Sequence, residues 1–196
     1  MKEALIIFVR KPEKGKVKTR IAAAVGDDMA LSIYKKLLQH TYSITHLLPC
    51  DKYIYYANAI EENDLWQNGY YKKQQADTGL GLRMQIAFTQ LFRKGYERIC
   101  IIGSDCHELT TEIIKEAFAL LTDNDIIIGP AHDGGYYLLA MKESVKSVFE
   151  GIEWSTEKVL IQTLAQVKKH HYSYSLLPEL KDMDTIQDVP EEWLII

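Results

Sequence analysis

Between Arg10 and Arg20 the sequence reads Arg-Lys-Pro-Glu-Lys-Gly-Lys-Val-Lys-Thr-Arg, which places six cationic side chains and one acid in eleven residues. Three later stretches set carboxylates among turn-forming residues: Gly103-Ser104-Asp105, His132-Asp133-Gly134-Gly135 and Asp182-Met183-Asp184. Cations beside carboxylates suit a metal-bound polyphosphate. A magnesium-type ion takes oxygens from one or two carboxylates and shares phosphate oxygens, while Lys and Arg neutralise the remaining negative charge. Each stretch also has a plain structural reading. The basic run reads as a solvated loop, Asp105 as a turn residue or helix cap, and Asp133-Gly134 as a hairpin turn between two apolar runs. Asp184 reads as the cap of a terminal helix, with Gln187 in the capping-box position. The hairpin reading is compatible with a functional one, because a hairpin tip can present a carboxylate.

Several familiar motifs are excluded. Val17 follows Gly15-Lys16 where a Walker A loop needs Ser or Thr for magnesium, and the earlier glycine is missing. Gly79-Leu80-Gly81-Leu82-Arg83-Met84 lacks the third glycine and the strong preceding strand of a dinucleotide fingerprint. No histidine and carboxylate are placed by the sequence to activate Cys106 as a nucleophile. His107 and His132 read as turn residues, since magnesium-type sites prefer oxygen. Cys50, Cys100 and Cys106 are odd in number and not closely paired, which suggests neither a disulfide framework nor a zinc cluster.

The elements that must position these residues follow from hydrophobic pattern. Ala4 to Val9 is an apolar run without alternation, as in strands buried on both faces. Ala30, Ile33, Leu37, Thr41, Ile44 and Leu48 recur at helical spacing, predicting a long amphipathic helix from Asp28 with Asp27 or Asp28 as its N-cap. The spacing further predicts a strand over Tyr53–Ala57, a helix over Leu82–Phe92 entered through Gly79-Leu80-Gly81, and a strand over Arg98–Gly103. Thr110 or Thr111 caps a helix to Leu121, and strands follow at Asp125–Gly129 and Tyr136–Met141. A helix opening at Ser155 or Thr156 and ending near Lys169, and a strand over Tyr172–Leu176, complete the pattern. Tyr70–Gly81 reads as an excursion. Buried strands alternating with amphipathic helices predict an α/β three-layer sandwich around a mostly parallel, mixed Rossmann-like sheet. The length of 196 residues fits one domain, 1–196. In such sheets ligands lie beyond the carboxyl ends of the strands, which is where the charged stretches fall.

Composition narrows the partners. A net charge of -4 and a pI near 5.9 argue against a general nucleic-acid or membrane-surface binder, which gains from net positive charge. The six-residue apolar run at the start is too short for a membrane span or signal peptide, so a reducing cytoplasm is the expected setting. The basic stretch therefore calls for a small anionic partner.

Taken together, Phe8 to Arg20, Gly79 to Met84, Ile102-Gly103-Ser104-Asp105-Cys106, Gly129 to Tyr137, Trp154-Ser155-Thr156 and Asp182 to Thr185 form an ordered set. Their order resembles a bacterial family of glycosyltransferase-like proteins of the type associated with radical-SAM and selenodomain proteins. That family belongs to the nucleotide-diphospho-sugar transferase superfamily, which has the GT-A fold, and is similar to the phospholactate guanylyltransferases. The resemblance spans nearly the whole chain. It implies a nucleotide-phosphate loop over Gly15–Arg20, with Lys18, Thr19 and Arg20 nearest the phosphates and Lys11 among the binding cations. It implies that Gly79, Gly81 and Arg83 lie near the nucleobase or ribose. Asp105 would bind a divalent metal, Mg²⁺ or Mn²⁺, with Asp184 as second ligand. Asp133, Gly134, Gly135 and Tyr136 would line an acceptor pocket with Trp154 as part of its wall, and Arg20 and Asp133 would take the catalytic roles. Two departures stand out: His107 replaces a proline, and Gly79 and Leu82 stand where acids are usual.

Two reactions remain open at this stage, with a nucleotide or nucleotide-sugar and a small acceptor as partners in each. One is glycosyl transfer from a nucleotide-diphospho-sugar, with Asp133 taking the acceptor's proton. The other is nucleotidyl transfer at the α-phosphorus of a nucleoside triphosphate with release of pyrophosphate, which six cations would favour. A third reading is a nucleotide-binding protein without turnover; the joint presence of Arg20, Asp105 and Asp184 speaks against it.

Overall fold

The computed structural model describes residues 1–194. Seven strands form one sheet: β1 (Glu3–Val9), β2 (Asp51–Tyr56), β3 (Tyr70–Gln74), β4 (Arg98–Ile102), β5 (Ile126–Pro130), β6 (Tyr136–Met141) and β7 (Tyr174–Leu176). Their spatial order is β3-β2-β1-β4-β6-β5-β7. All neighbours pair in parallel except β6, which runs antiparallel to both β4 and β5. The fold is the expected α/β sandwich with a mixed sheet.

Strand β1 shows why its apolar run does not alternate. Leu5, Ile7 and Val9 point into one core and Ala4 and Ile6 into another on the opposite face, all at most 3% exposed. The first core is closed by α1 (Thr19–Val25), α2 (Asp27–Thr45) and α4 (Thr111–Leu120), through Ile21, Ile33, Leu37, Ile114 and Phe118. The second is closed by α3 (Leu80–Phe92) and α5 (Val159–Lys169), through Met84, Phe88, Leu91 and Val167. Helices on both faces cover a sheet whose central strands have no polar side to spare.

Some boundaries differ from the sequence reading. Thr19–Val25 is helical rather than loop; Gly26, with φ 81°, breaks it from α2. Gly26 is also the N-cap of α2, and Asp27 and Asp28 lie instead in its first turn, where carboxylates favour the positive end of the helix dipole. Tyr70–Gln74 is an edge strand paired with β2, not an excursion. Helix α5 begins at Val159, because Ser155, with φ 65°, cannot open a helix. Near the C-terminus the capping box is formed by Thr185 and Asp188, not Asp184 and Gln187. Thr110 caps α4 as its sequence predicts, its hydroxyl accepting the Ile113 N–H.

The chain runs from β1 to β2 and β3 on one side, then returns to place β4 on the other side of β1. The ends of β1 and β4 therefore diverge into a topological switch point, where open sheets leave a crevice. Because β6 is antiparallel, its first residue, Tyr136, comes to the edge where β4 ends.

Candidate functional site

A cleft of about 720 Å³ opens at this switch point. Its floor is Val9-Arg10 after β1 and Gly103-Ser104 after β4. These two segments are tied through Tyr34 of α2. The Tyr34 hydroxyl accepts the Arg10 N–H at 2.8 Å, donates to the Arg10 carbonyl at 3.1 Å, and lies 3.5 Å from the Ser104 hydroxyl. Burial pushes that hydroxyl up to about 12, so it stays neutral.

The basic stretch leaves β1, turns through Lys18 in the left-handed region (φ 48°), and enters α1. The turn drives Lys18 inward. Its ammonium, on a side chain only 6% exposed, lies 2.7 Å from Asp105 Oδ1 and 3.7 Å from Asp184 Oδ1, and donates to the Met183 carbonyl at 2.7 Å. Arg20 reaches Asp184 from solvent at 3.8 Å. The C-terminal segment is held in place by the Met183 N–H, which donates to the Asp105 carbonyl at 2.9 Å. Asp188 supports the same segment, accepting from the N–H groups of Asp184 and Thr185 and from the Thr185 hydroxyl. Burial works against the Asp188 charge, but the Lys181 ammonium and these donors outweigh it and hold its carboxyl at about 2.

Asp182 lies in the same cluster and behaves oppositely. Burial, followed by the charges of Asp105, Asp133 and Asp184, raises its carboxyl to about 7, with Lys18 pulling the other way. The cluster thus holds more negative charge than one ammonium offsets. Asp105 and Asp184 both approach one cation, and a pair of carboxylates is the protein share that Mg²⁺ or Mn²⁺ uses when phosphate and water complete its shell. Among the described residues no group of three or more His, Cys, Asp or Glu side chains is arranged to hold a metal ion unaided. The pair fits an ion brought or completed by a phosphate ligand.

The far wall joins the β5–β6 hairpin tip to the turn before α5. Asp133 Oδ1 accepts the Gly135 N–H at 2.8 Å, and the Gly134 carbonyl accepts the Leu160 N–H at 2.8 Å. Gly134 has φ 84°, and a Cβ there would lie 2.1 Å from the Glu157 carbonyl oxygen, so no side chain fits. Trp154 packs between Phe149 and Tyr136, with ring centroids 6.4 and 6.5 Å away. A Cβ on Gly81 would come within 2.3 Å of its indole ring.

The residues singled out from sequence divide in two. Lys18, Thr19, Arg20, Arg83, Asp105, Asp133, Gly135, Tyr136, Trp154 and Asp184 line the cleft. Lys11, Gly15, Gly79, Gly81 and Gly134 stand behind its wall. Lys11 is turned onto Glu61 at 2.8 Å, Gly79 is the N-cap of α3, and Gly81 makes room for Trp154. Lys14 is likewise paired with Asp28 at 2.8 Å. Sequence reasoning passed over Tyr34, Gln75, Ser104 and Glu157, and left Asp182 without a role. The Gln75 side-chain oxygen Oε1 and the Thr78 backbone carbonyl accept from Arg83, at 3.4 and 2.6 Å. Asp182 was within reach as the partner of Asp184 in Asp-Met-Asp; Tyr34 lies on the apolar stripe of α2 and carries no signal of its own.

Known proteins share this fold. The model of a family described as "Uncharacterized protein conserved in bacteria (DUF2064)" matches residues 41–156. No curated protein matches the chain in sequence. A crystal structure from Desulfovibrio desulfuricans G20, of a protein provisionally named a nucleotide-diphospho-sugar transferase, superposes with a TM-score of 0.89 at 32% identity, covering 96% of this chain and 85% of that one. The inositol-1-phosphate CTP transferase of T. maritima shares the fold, with a TM-score of 0.63 at 12% identity over 98% and 93% of the two chains. So does a Mycobacterium tuberculosis H37Rv protein solved in complex with manganese, with a TM-score of 0.55 at 10% identity over 96% of each chain. Among the described residues no helix is long and apolar enough to cross a membrane.

Proposed function

The chain belongs to the DUF2064 family, and on that premise we propose that it is a metal-dependent transferase that moves a sugar from a nucleotide-diphospho-sugar to a small acceptor. The observation that carries this reading is the convergence of Asp105 and Asp184 on one cation beside Arg20, in the crevice where β1 and β4 part. Asp105 and Asp184 would hold Mg²⁺ or Mn²⁺, and the bound ion would neutralise the diphosphate as it departs. Lys18, Thr19 and Arg20 bind and orient the same phosphates. Arg83, held by Gln75 and Thr78, meets the nucleoside. Asp133 accepts the proton of the attacking hydroxyl while the bond between the anomeric carbon and the diphosphate oxygen breaks. The D. desulfuricans protein's provisional name agrees with this reading, and manganese in the M. tuberculosis protein agrees with a divalent ion. The chain is taken to work as one domain.

Nucleotidyl transfer is the second reading, and the count of six cations was its main support. Two of them, Lys11 and Lys14, are engaged by Glu61 and Asp28 outside the cleft, and Lys16, at its wall, is paired with Glu13 at 2.7 Å, leaving Arg10, Lys18 and Arg20. The six cations therefore do not act together on one polyphosphate, which removes that support. Incubation with nucleotide-sugars, Mg²⁺ or Mn²⁺ and an acceptor panel should release nucleoside diphosphate. Pyrophosphate released from a triphosphate, with nucleotide-sugars untouched, would establish the second reading instead. Asp105→Ala should weaken metal-dependent nucleotide binding at least tenfold by calorimetry; binding equal to wild type, with and without metal, would remove Asp105 from its role.

A further inference from the structure

The cations of the cleft are gathered on one side, with the carboxylates of Asp105, Asp182 and Asp184 among them. These cations, Arg10, Lys16, Lys18, Arg20 and Arg83, all come from the β1–α1 connection, from the first turn of α1 or from α3. The β5–β6 hairpin tip and the turn before α5 present Asp133, Ser155 and Glu157 beside the rings of Tyr136 and Trp154, with no cation among them; Asp133 stands toward Asp182, and the Thr156 hydroxyl is spent on the Glu153 carbonyl. The nearest cation in sequence, Lys158, is drawn onto Glu153 at 3.1 Å and does not line the cleft. This wall is fixed rather than loose, because the Glu157 backbone fills the space a Gly134 side chain would need and the Gly134 carbonyl holds the Leu160 N–H.

Ionised carboxylates only accept hydrogen bonds, and each can take two or more from neighbouring hydroxyl or amine groups. A Ser hydroxyl donates and accepts, and aromatic rings cover C–H faces or cationic groups. Such a wall rewards hydroxyls and amines and repels anions, the combination by which like charge enforces specificity. An acceptor carrying a phosphate would find cations only on the side that the donor's diphosphate occupies.

We propose that this wall is a subsite for an uncharged or cationic polyhydroxylated acceptor, of monosaccharide or amino-sugar size, and that it turns away acceptors bearing phosphate or carboxylate. The assignment of this wall to the acceptor rests on the transferase reading given above. Calorimetric titration with methyl glucoside, glucosamine, glucose 6-phosphate and glucuronate tests it, with the protein alone and with the protein plus Mn²⁺ and UDP, GDP, ADP or CDP. The expected order places methyl glucoside and glucosamine at least tenfold tighter than the two anions, and Glu157→Lys should invert that order. Glucose 6-phosphate or glucuronate binding as tightly as the neutral sugar, an order unmoved by Glu157→Lys, or no binding by any of the four would overturn the proposal. Failure of every nucleoside diphosphate to bind, with the sugar order as expected and reversed by Glu157→Lys, would sink the donor reading and leave the charge selectivity of this wall standing.

Discussion

Replacing Asp182 by Asn removes a carboxyl that folding sets beside three others. Burial and the neighbouring charges of Asp105, Asp133 and Asp184 raise its pKa from 3.8 to about 7. At about 1.4 kcal/mol per unit, that gap corresponds to about 4 kcal/mol. The sign follows from the direction of the shift. An acid whose folded pKa is raised contributes its full stability only below its unfolded pKa, and that contribution is lost as pH climbs through the folded value. The wild type should therefore lose stability relative to Asp182→Asn between about pH 4 and pH 7, and the difference should level off above pH 8. Burial is the larger cause and the three neighbouring charges the smaller, so about 4 kcal/mol is the ceiling of the effect. Urea unfolding of both proteins in EDTA, from pH 4 to 8.5, measures it. The variant should be more stable by about 2–4 kcal/mol at pH 8 and within about 1 kcal/mol near pH 4. Added Mg²⁺ should narrow the gap at pH 8, since a cation between Asp105 and Asp184 offsets part of the repulsion. A difference independent of pH, or a wild type more stable than the variant at pH 8, would refute the reasoning.

Gly81→Ala should destabilise the fold by about 1–2 kcal/mol, because the added methyl forces the Trp154 ring aside, outweighing the helix propensity it gains. A melting temperature lower by roughly 2–8 °C and altered tryptophan fluorescence are expected; a higher melting temperature with unchanged fluorescence would show that the ring has room. Lys11→Ala should leave nucleotide affinity within about twofold of wild type, because Lys11 is engaged by Glu61 away from the cleft. A tenfold loss in calorimetry would return Lys11 to the phosphate site.

The parts of the fold that were legible in sequence are those where burial dictates residue type. Strands β1 and β4 are covered on both faces, so Ala4 to Val9 and Ile99 to Ile102 are apolar throughout, and the stripe Ala30-Ile33-Leu37-Thr41 of α2 can only face a core. Strand β3 escaped because it pairs on one side only; of Tyr70–Gln74, Tyr70 alone is buried, and the rest reads as surface. Helix α1 escaped because its seven residues bury only Ile21. Within the site, residues at strand ends were readable because topology fixes where strand ends lie. Side-chain direction in an irregular loop was not: Lys11 and Lys18 look alike in sequence. One meets Glu61, fifty positions away, and the other turns inward through a left-handed backbone.

The reversed direction of β6 bears on how this molecule could be re-engineered. Residues 131–135 cap a hairpin whose legs are each secured in the sheet, β5 by β6 and β7 and β6 by β4 and β5. Grafting other side chains onto the exposed positions 132, 133, 156 and 157, while keeping Gly134, leaves those ladders untouched. The basic segment has no such freedom, because Lys18, α1 and Gly26 carry the chain into α2. The basic segment and the hairpin wall are thus encoded as separable cassettes, the first conservative by construction and the second open to exchange at its exposed positions.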